Sequence, residues 1–229
     1  MKHLVAYTAV FGKPDVLLEP AYAAWRVPLL CFTDLQFKGH SMWKMVQVNL
    51  SHLTPARRNR KVKLFWESLL DGYEYSLYLD STVELLVDPI QLLPFLEPNS
   101  DIAVFRHPER DCLYEEAREV KRLRKAEPWE VDRQVAKYRG EGFPPHAGLF
   151  ACTVILRRHS KVMRDFCRAW WEEVEAMSAR DQVSFPYLVR RYGIKVSTFP
   201  GSLLANEFIS WRPWERKELG YIQNWEVPK

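Results

Sequence analysis

The chain has 229 residues, of which 47% are apolar and 14% aromatic, so intrinsic disorder is excluded and one domain is expected. No apolar run approaches the roughly 18–20 residues of a membrane-spanning helix, so no membrane span is expected. The formal net charge of +4 suits phosphate-bearing ligands, but it is too small to indicate a dedicated nucleic-acid binder.

The amino terminus carries one lysine and a short apolar stretch without a small-residue cleavage site. This pattern predicts a first strand and not a signal peptide, so a cytoplasmic location is expected. The four cysteines are scattered and form no Cys-x-x-Cys pair, which is typical of free thiols in a reducing compartment. They are Cys31, Cys112, Cys152 and Cys167.

Short runs rich in branched and aromatic residues alternate with helical patterns, which predicts an α/β fold with a mostly parallel central sheet flanked by helices. The predicted strands are 4–11, 28–32, 75–79, 102–105, 150–156 and 194–199. The predicted helices are 56–70 with Pro55 in the first turn, 88–93, 113–125, 129–138, 160–177 and 181–192. A loop is expected at 139–145, and the last twenty or so residues, rich in Trp and Pro, predict an irregular tail.

In the first half of the chain, an apolar strand runs directly into Asp80, which is followed by Ser81 and Thr82. Ligands of open α/β sheets bind at the carboxyl ends of strands. A carboxylate there can hold Mg²⁺ or Mn²⁺, which bridges the oxygens of a diphosphate. Asp80 is therefore a candidate metal ligand. The structural alternative is a strand-ending aspartate that forms an Asx turn.

Arg57, Arg60 and Lys63 recur every three residues in the helix that follows Pro55. They therefore lie roughly along one helical face. Such a face can bind a diphosphate through charge-assisted hydrogen bonds. A solvated basic helix fits the same spacing.

Charged side chains crowd between a predicted strand and a predicted helix, as recognition of sugar hydroxyls requires. The candidates are His107, Arg110, Asp111 and Glu115. The alternative is ordinary capping, because Asp111 precedes the helix and Glu115 lies in its first turn, where the helix dipole favours acids.

His146 and Gly148 precede another predicted strand. A glycine lets a ligand approach the backbone closely, and the histidine offers a substrate contact. A structural histidine beside a loop is the alternative.

Asp181 and Gln182 stand at the start of a predicted helix. Their candidate roles are general base toward an acceptor hydroxyl and electrostatic support of an oxocarbenium-like centre. The alternative is that Ser178 or Asp181 only caps the helix. Four tryptophans are candidates for stacking on a sugar ring or for the core, namely Trp170, Trp171, Trp211 and Trp214.

Taken in order, these segments resemble the glycosyltransferase-like family that includes the plant turgor-regulation-defect and mucilage-related proteins, the TOD/MUCI type. The matching motifs are at 7–12, 31–34, 56–63, 75–81, 107–117, 134–138, 142–144, 148–149, 170–171 and 178–185. They cover roughly residues 4–190, and their shared order makes the resemblance specific.

The resemblance implies a single GT-A-like, Rossmann-like domain over residues 1–229. A nucleotide-binding half is expected at about 1–100, an acceptor and catalytic half at about 101–200 and an irregular tail at 201–229. The implied nucleotide-sugar contacts are Thr8, Phe11, Gly12, Asp34, Arg57, Arg60, Lys63 and Asp80. The implied sugar or acceptor contacts are His107, Arg110, Glu115, His146 and Gly148, and the implied catalytic residues are Asp181 first, then Gln182 and Asp111.

Asp80 stands where GT-A enzymes carry the first acid of their Asp-x-Asp motif, but Asp80-Ser81-Thr82 supplies one carboxylate only. The expected cofactor is Mn²⁺ or Mg²⁺, held by Asp80 with substrate oxygens and water. The alternative is that the basic residues neutralise part of the phosphate charge instead.

The activity that the resemblance implies is transfer of a sugar from a nucleotide-diphosphate donor to a hydroxyl of a glycan, a small molecule or a modified nucleic-acid base. Nucleic acid enters only as an acceptor. The alternatives are a hydrolase of the ceramidase type, an activity attributed to a plant member of the family, and a non-catalytic nucleotide- or nucleic-acid-binding module. The sequence contains no His-x-x-Glu-His, Gly-x-Ser-x-Gly or clustered histidine set, which disfavours the hydrolase.

Overall fold

The computed structural model describes residues 2–12, 16–21, 26–212 and 225–226. Its strands are β1 (Lys2–Val10), β2 (Leu29–Thr33), β3 (Gln36–Phe37), β4 (Lys44–Gln47), β5 (Tyr73–Leu79), β6 (Val83–Leu85), β7 (Ile102–Arg106), β8 (Phe150–Arg158), β9 (Val196–Thr198), β10 (Ile209–Trp211) and β11 (Trp225–Glu226). Its α-helices are α1 (Pro55–Leu64), α2 (Leu113–Arg122), α3 (Pro128–Gly140), α4 (Lys161–Ala176) and α5 (Asp181–Tyr192). Two 3₁₀ helices span Trp66–Ser68 and Pro89–Phe95.

Seven strands of the described chain form one sheet in the order β4-β2-β1-β5-β8-β7-β9. The pairs β4–β2, β2–β1, β1–β5 and β7–β9 are parallel, whereas β8 runs antiparallel to both β5 and β7. The predicted α/β fold with a mostly parallel central sheet is therefore confirmed. Tyr7 pairs with Tyr78, so the carboxyl ends of β1 and β5 lie side by side.

The core lies on both faces of this sheet, because successive side chains of a strand point to opposite faces. Val5 and Tyr7 of β1 join a cluster to which all five described α-helices contribute buried residues. Leu4 and Ala6 join a second cluster, which is covered by the 3₁₀ helix at Pro89–Phe95 and by residues 199–209. The two clusters bury the last four residues of β5, whereas its first three residues are half-buried.

The helices begin close to where the sequence predicts, and α1 and α4 have side-chain caps, whereas α2, α3 and α5 begin without one. Thr54 Oγ1 accepts a hydrogen bond from the backbone N–H of Arg57 at 3.4 Å, with Pro55 as the first helical residue. Ser160 caps α4 in the same way. The end of α1 was predicted less well: α1 stops at Leu64 and not near residue 70, because the backbone of Phe65 leaves the helical region and a 3₁₀ turn follows.

The tail predicted to be irregular from residue 201 contains a strand. β10 pairs antiparallel with β6, with Ile209 opposite Leu85 and Trp211 opposite Val83. A three-residue strand is too short for an alternating pattern to predict it. Trp214, at which stacking on a sugar was predicted, lies outside the described residues.

The four cysteines are buried and free, as the sequence predicts. Burial, reinforced by Asp181, raises the pKa of the Cys152 thiol well above its ordinary value, so this thiol stays protonated at neutral pH. Within the described ranges, no helix combines the length and the apolar character that crossing a bilayer requires.

Candidate active site

A cleft opens where β1 and β5 end, at the carboxyl edge of two neighbouring parallel strands. It has a larger lobe of about 580 Å³ and a smaller lobe of about 380 Å³. The larger lobe follows the end of β1 and the start of α1, and the smaller lobe follows the β7–α2 connection and the start of α5. Four residues line both lobes and form their junction: Asp80, Lys125, Arg180 and Trp211.

Gly12 shapes one wall of the larger lobe. It follows β1 with φ at +77°, in the region that favours glycine, and its N–H lies 3.4 Å from Asp34 Oδ1. A Cβ added to Gly12 would lie 2.7 Å from Cγ of Pro55. Glycine therefore lets the end of β1 come against the first turn of α1, which places Phe11 and Pro55 together in the lining of the lobe.

The substitution Gly12→Ala is expected to lower the free energy of unfolding by about 1–3 kcal/mol, because alanine is strained at this φ and its Cβ meets Pro55. Gly148→Ala is the matched control, since Gly148 has φ at +93° but open space around an added Cβ. Urea denaturation of both variants separates the two effects. Equal losses of stability would show that the contact with Pro55 contributes nothing.

The carboxylate of Asp80 is fixed by protein contacts to Oδ1, while 33% of the side chain is exposed at the junction. The Tyr78 hydroxyl donates to Asp80 Oδ1 at 2.9 Å and lies 3.1 Å from Asn59 Oδ1. Asn59 in turn donates to the carbonyl of Ala9 at 2.8 Å, which ties α1 to β1. Lys63 Nζ lies 4.0 Å from Asp80 Oδ1. This carboxylate is thus fixed in position and free on one side to meet a ligand.

Asp181 lies behind the junction and binds two cations of α1. Its carboxylate is 2.9 Å from Arg60 Nε and 2.6 Å from Lys63 Nζ, and only 3% of the side chain is exposed. Burial alone would raise the pKa of Asp181, but Arg60 and Lys63 outweigh it and lower the pKa to about 2. Asp181 lines neither lobe, so this placement gives the predicted catalytic carboxylate no direct access to a substrate. Arg60 does line the larger lobe, as the sequence predicts for a phosphate contact.

Arg180 and Lys125 line both lobes, although the sequence analysis did not select them. Nε of Arg180 is buried without a hydrogen-bond partner among the described residues. Burial is the main cause that lowers the pKa of Arg180, and repulsion from Arg60 is the next. The pKa of Lys125 is lowered by burial and then by repulsion from Arg180. Arg180 immediately precedes Asp181 in the matched motif, which is the one signal that could have found it.

Glu116 is the buried carboxylate of the smaller lobe. Its Oε1 accepts a hydrogen bond from Gln182 Nε2 at 2.8 Å, and its Oε2 accepts one from Arg110 Nε at 3.0 Å. Nδ1 of His107 accepts the backbone N–H groups of Glu109 and Arg110, so the neutral ring carries its proton on Nε2. Burial first lowers the pKa of His107, which keeps the ring neutral. The structure therefore brings the predicted residues His107, Arg110 and Gln182 together around Glu116.

Five of the predicted nucleotide contacts line neither lobe, namely Thr8, Gly12, Asp34, Arg57 and Lys63. Thr8 is fully buried within β1. Asp34 forms an ion pair with Arg58, and Arg57 forms one with Glu130 of α3 at 3.0 Å. The two ion pairs join α1 to α3 and to the segment after β2.

Asp111, Glu115 and His146 lie together, but away from the cleft. Their ligand atoms are all within 4.8 Å of one another at the surface, and the hydrogen bond that His146 Nδ1 donates to Asp111 raises the pKa of His146. Glu115 and His146 line a separate shallow depression, and Asp111 and Gly148 line neither lobe of the cleft. Successive helical residues point about 100° apart. Glu116 therefore enters the cleft where Glu115 was predicted to do so.

The tryptophans divide between core and cleft. Trp170 and Trp171 are buried in the cluster beneath the α-helices, so they cannot stack on a sugar. Trp211 lines both lobes and keeps the predicted stacking role open.

The surroundings of Asp80 do not fit a tightly held divalent cation. Mg²⁺ and Mn²⁺ are held by oxygen ligands, and a second carboxylate ordinarily supports the first. Within the described chain, the group of three side chains able to hold a metal is Asp111, Glu115 and His146, outside the cleft. Next to Asp80 stand the ammonium of Lys63 and the cations that line the junction. We therefore derive no catalytic step through a metal.

The family described as "TOD1/MUCI70, glycosyltransferase-like domain" matches residues 31–203. The chain is 34% identical over 159 residues to "Probable hexosyltransferase MUCI70" of Arabidopsis thaliana. This aligned region covers 65% of the chain and 27% of that protein. The chain is also 26% identical over 163 residues to "Alkaline ceramidase TOD1" of Arabidopsis thaliana. This aligned region covers 64% of the chain and 35% of that protein. The chain thus spans 27% to 35% of the length of these curated relatives.

Among solved structures, the fold is similar to that of the WbbM bifunctional glycosyltransferase in its apo form, with a TM-score of 0.52 and 10% sequence identity. The similarity covers 87% of this chain and 39% of that chain. At this identity the likeness concerns the fold alone, and it confirms the predicted GT-A-like architecture.

Proposed function

Because the chain belongs to the TOD1/MUCI70 glycosyltransferase-like domain family, we propose that it transfers a sugar from a nucleotide-diphosphate donor to a hydroxyl of an acceptor. The observation that carries this proposal is the two-lobed cleft, whose lobes meet at Asp80 among cations. A transferase needs one site for the donor, one for the acceptor and a charged junction where the leaving group departs.

The larger lobe is the proposed donor site. Phe11 and Pro55 offer apolar surface to the nucleoside, and Asn59 and Arg60 lie further along the same wall. Arg60 lines this lobe, and its Nε lies 2.9 Å from the carboxylate of Asp181, which holds the guanidinium in place. A charged group held rigidly in a half-buried site binds phosphate oxygens more strongly than a mobile surface arginine does.

The smaller lobe is the proposed acceptor site. The hydroxyl oxygen of the acceptor attacks the anomeric carbon of the sugar, and the bond from that carbon to the diphosphate oxygen breaks. The electron pair of this bond leaves with the nucleoside diphosphate, and the hydroxyl proton passes to a base. Glu116 is the proposed base, because it is the buried carboxylate of this lobe and is oriented by Gln182 and Arg110.

The test is a panel of nucleotide diphosphates and nucleotide sugars, with melting temperature and donor consumption as readouts. We expect a uridine or guanosine diphosphate species to raise the melting temperature, since a ligand that binds only the folded state stabilises it. Asp80→Asn is expected to reduce kcat/KM on the order of 100-fold, because the donor loses a fixed contact at the junction. Asp132→Asn, at an exposed position outside both lobes, is the matched control and should behave as wild type.

A flat melting curve across the whole panel would contradict the proposal. Binding without donor consumption would instead support a non-catalytic nucleotide-binding module. The name of the second relative makes ceramide the competing substrate, so release of fatty acid from ceramide is measured in parallel. Fatty-acid release with no response to any nucleotide would assign the cleft to the hydrolase.

A further inference from the structure

The guanidinium of Arg180 lies between the two lobes without a counter-charge of its own. Its Nε is buried and has no hydrogen-bond partner among the described residues, and no ion pair satisfies it there. Withdrawing part of a charged group from water without giving it a partner is unfavourable. Such a group is stabilised when a ligand supplies the missing anion.

The nearest carboxylates are already engaged. Asp181 is bound by Arg60 and Lys63, and Asp80 accepts a hydrogen bond from Tyr78 with Lys63 close by. Arg60 and Arg180 both line the larger lobe, and burial followed by repulsion from Arg60 lowers the pKa of Arg180. Two like charges held together at the wall of a cleft indicate a site for an anion of more than one charge.

Lys125 completes this set from the segment between α2 and α3. It lines both lobes, and like Arg180 it forms no ion pair within the described chain. Among the described residues that line the larger lobe, Arg60, Lys125 and Arg180 carry positive charge and Asp80 carries negative charge, so positive charge is in excess there. The diphosphate of a nucleotide sugar carries one negative charge on each phosphate, which this excess can balance.

We propose that Arg180, together with Arg60 and Lys125, binds the diphosphate of the donor in place of a divalent cation, so that donor binding and transfer proceed without metal. This inference rests on the proposed function. When the bond between the anomeric carbon and the diphosphate oxygen breaks, its electron pair moves onto that oxygen. The three cations stabilise the added charge, and the proton of the acceptor hydroxyl goes to Glu116.

The experiment measures binding of uridine diphosphate, guanosine diphosphate and inorganic pyrophosphate to the full chain by calorimetry, once with EDTA and once with Mn²⁺. We expect affinities that agree within about twofold between the two conditions. Arg180→Gln should weaken binding at least tenfold, whereas Arg180→Lys should weaken it less, because lysine keeps the charge but loses the planar fork. Arg118→Gln is the matched control, since 70% of that side chain is exposed outside the cleft.

The melting temperature of the ligand-free protein separates a binding role from a structural one. If Arg180 serves the ligand, Arg180→Gln should leave this temperature unchanged or raise it, because an unpaired charge is removed. A clear fall, with unchanged nucleotide affinity, would assign Arg180 to the structure and overturn the inference.

Metal dependence distinguishes the inference from the function on which it rests. Nucleotide binding or donor consumption that requires Mn²⁺ would overturn the inference and leave the glycosyltransferase proposal intact. Binding of pyrophosphate and nucleotide in EDTA, lost in Arg180→Gln, supports both. No binding in either condition would overturn both.

Discussion

The substitution Asp181→Asn is expected to lower the free energy of unfolding by about 3–5 kcal/mol, because it removes the shared counter-charge of two buried cations. Arg60 and Lys63 would then face each other across an amide whose N–H₂ group is itself a donor. Lys63 is 1% exposed and cannot move to solvent without opening the core around Cys152. Urea denaturation measures the loss directly.

Asp165→Asn is the matched control for Asp181→Asn, because Asp165 forms an exposed ion pair with Lys161 on α4. Exposed pairs contribute about 0–1 kcal/mol, so this variant should unfold close to wild type. A wild-type stability for Asp181→Asn, with a large fall in turnover alone, would return Asp181 to the catalytic role that the sequence suggested.

The lowered pKa of Asp181 predicts that the free energy of unfolding falls at low pH. Its pKa is lowered from the ordinary 3.8 to about 2, because Arg60 and Lys63 outweigh the effect of burial. The unfolded chain therefore takes up a proton at a higher pH than the folded chain. The contribution, about 2 kcal/mol, is complete above about pH 4 and is lost as the pH falls toward about 2. In Asp181→Asn this part of the acid dependence should disappear.

The second large effect is expected for Trp170→Ala, which should lower the free energy of unfolding by about 3–5 kcal/mol. Trp170 is fully buried between α4 and α5 and packs against Phe166 and Phe185. Its indole N–H lies 3.0 Å from Ser184 Oγ and 3.2 Å from the carbonyl of Asp181. The cavity would loosen the first turn of α5, so Arg60 and Lys63 would lose their fixed anchor as well.

Trp129→Ala provides the comparison for Trp170→Ala, because Trp129 is 60% exposed and contacts Arg133 of its own helix. Its removal should change stability by less than about 1 kcal/mol. Thermal and urea unfolding of both variants test the assignment of Trp170 to the core. Similar small losses in the two variants would contradict that assignment.

The elements that the sequence predicted are those with a long, regular pattern. β1, β5 and β8 each carry seven or more residues of strand character, and α4 shows its apolar side chains at helical spacing. β3 has two residues and β6 has three, so neither offers a period to detect. β4 has four residues at the sheet edge, with half-buried Met45 and Val46 between exposed polar ends, and it takes its strand form from pairing with β2, which is a non-local contact.

In the cleft, the residues that could be predicted are those whose place follows from their own strand or helix. Asp80 follows a buried strand and Arg60 lies on a basic helical face, and both line the larger lobe. The burial of Asp181 could not be predicted, because it depends on how α1 packs against α5. Arg157 is a second example. A charged residue near the end of a strand is expected to be exposed, yet Arg157 is fully buried and donates to the Lys63 carbonyl at 2.7 Å.

The pairing of β10 with β6 has a practical consequence for anyone who excises this unit from a longer relative. The family match ends at residue 203 and begins at residue 31, so β1 and β10 both fall outside it. A fragment trimmed to those limits keeps Asp80 and Arg180 but loses β1, an internal strand of the sheet, and Trp211, which lines both lobes of the cleft. Fragments intended for assay should therefore extend past both limits, far enough to include the equivalents of Lys2 and Trp211.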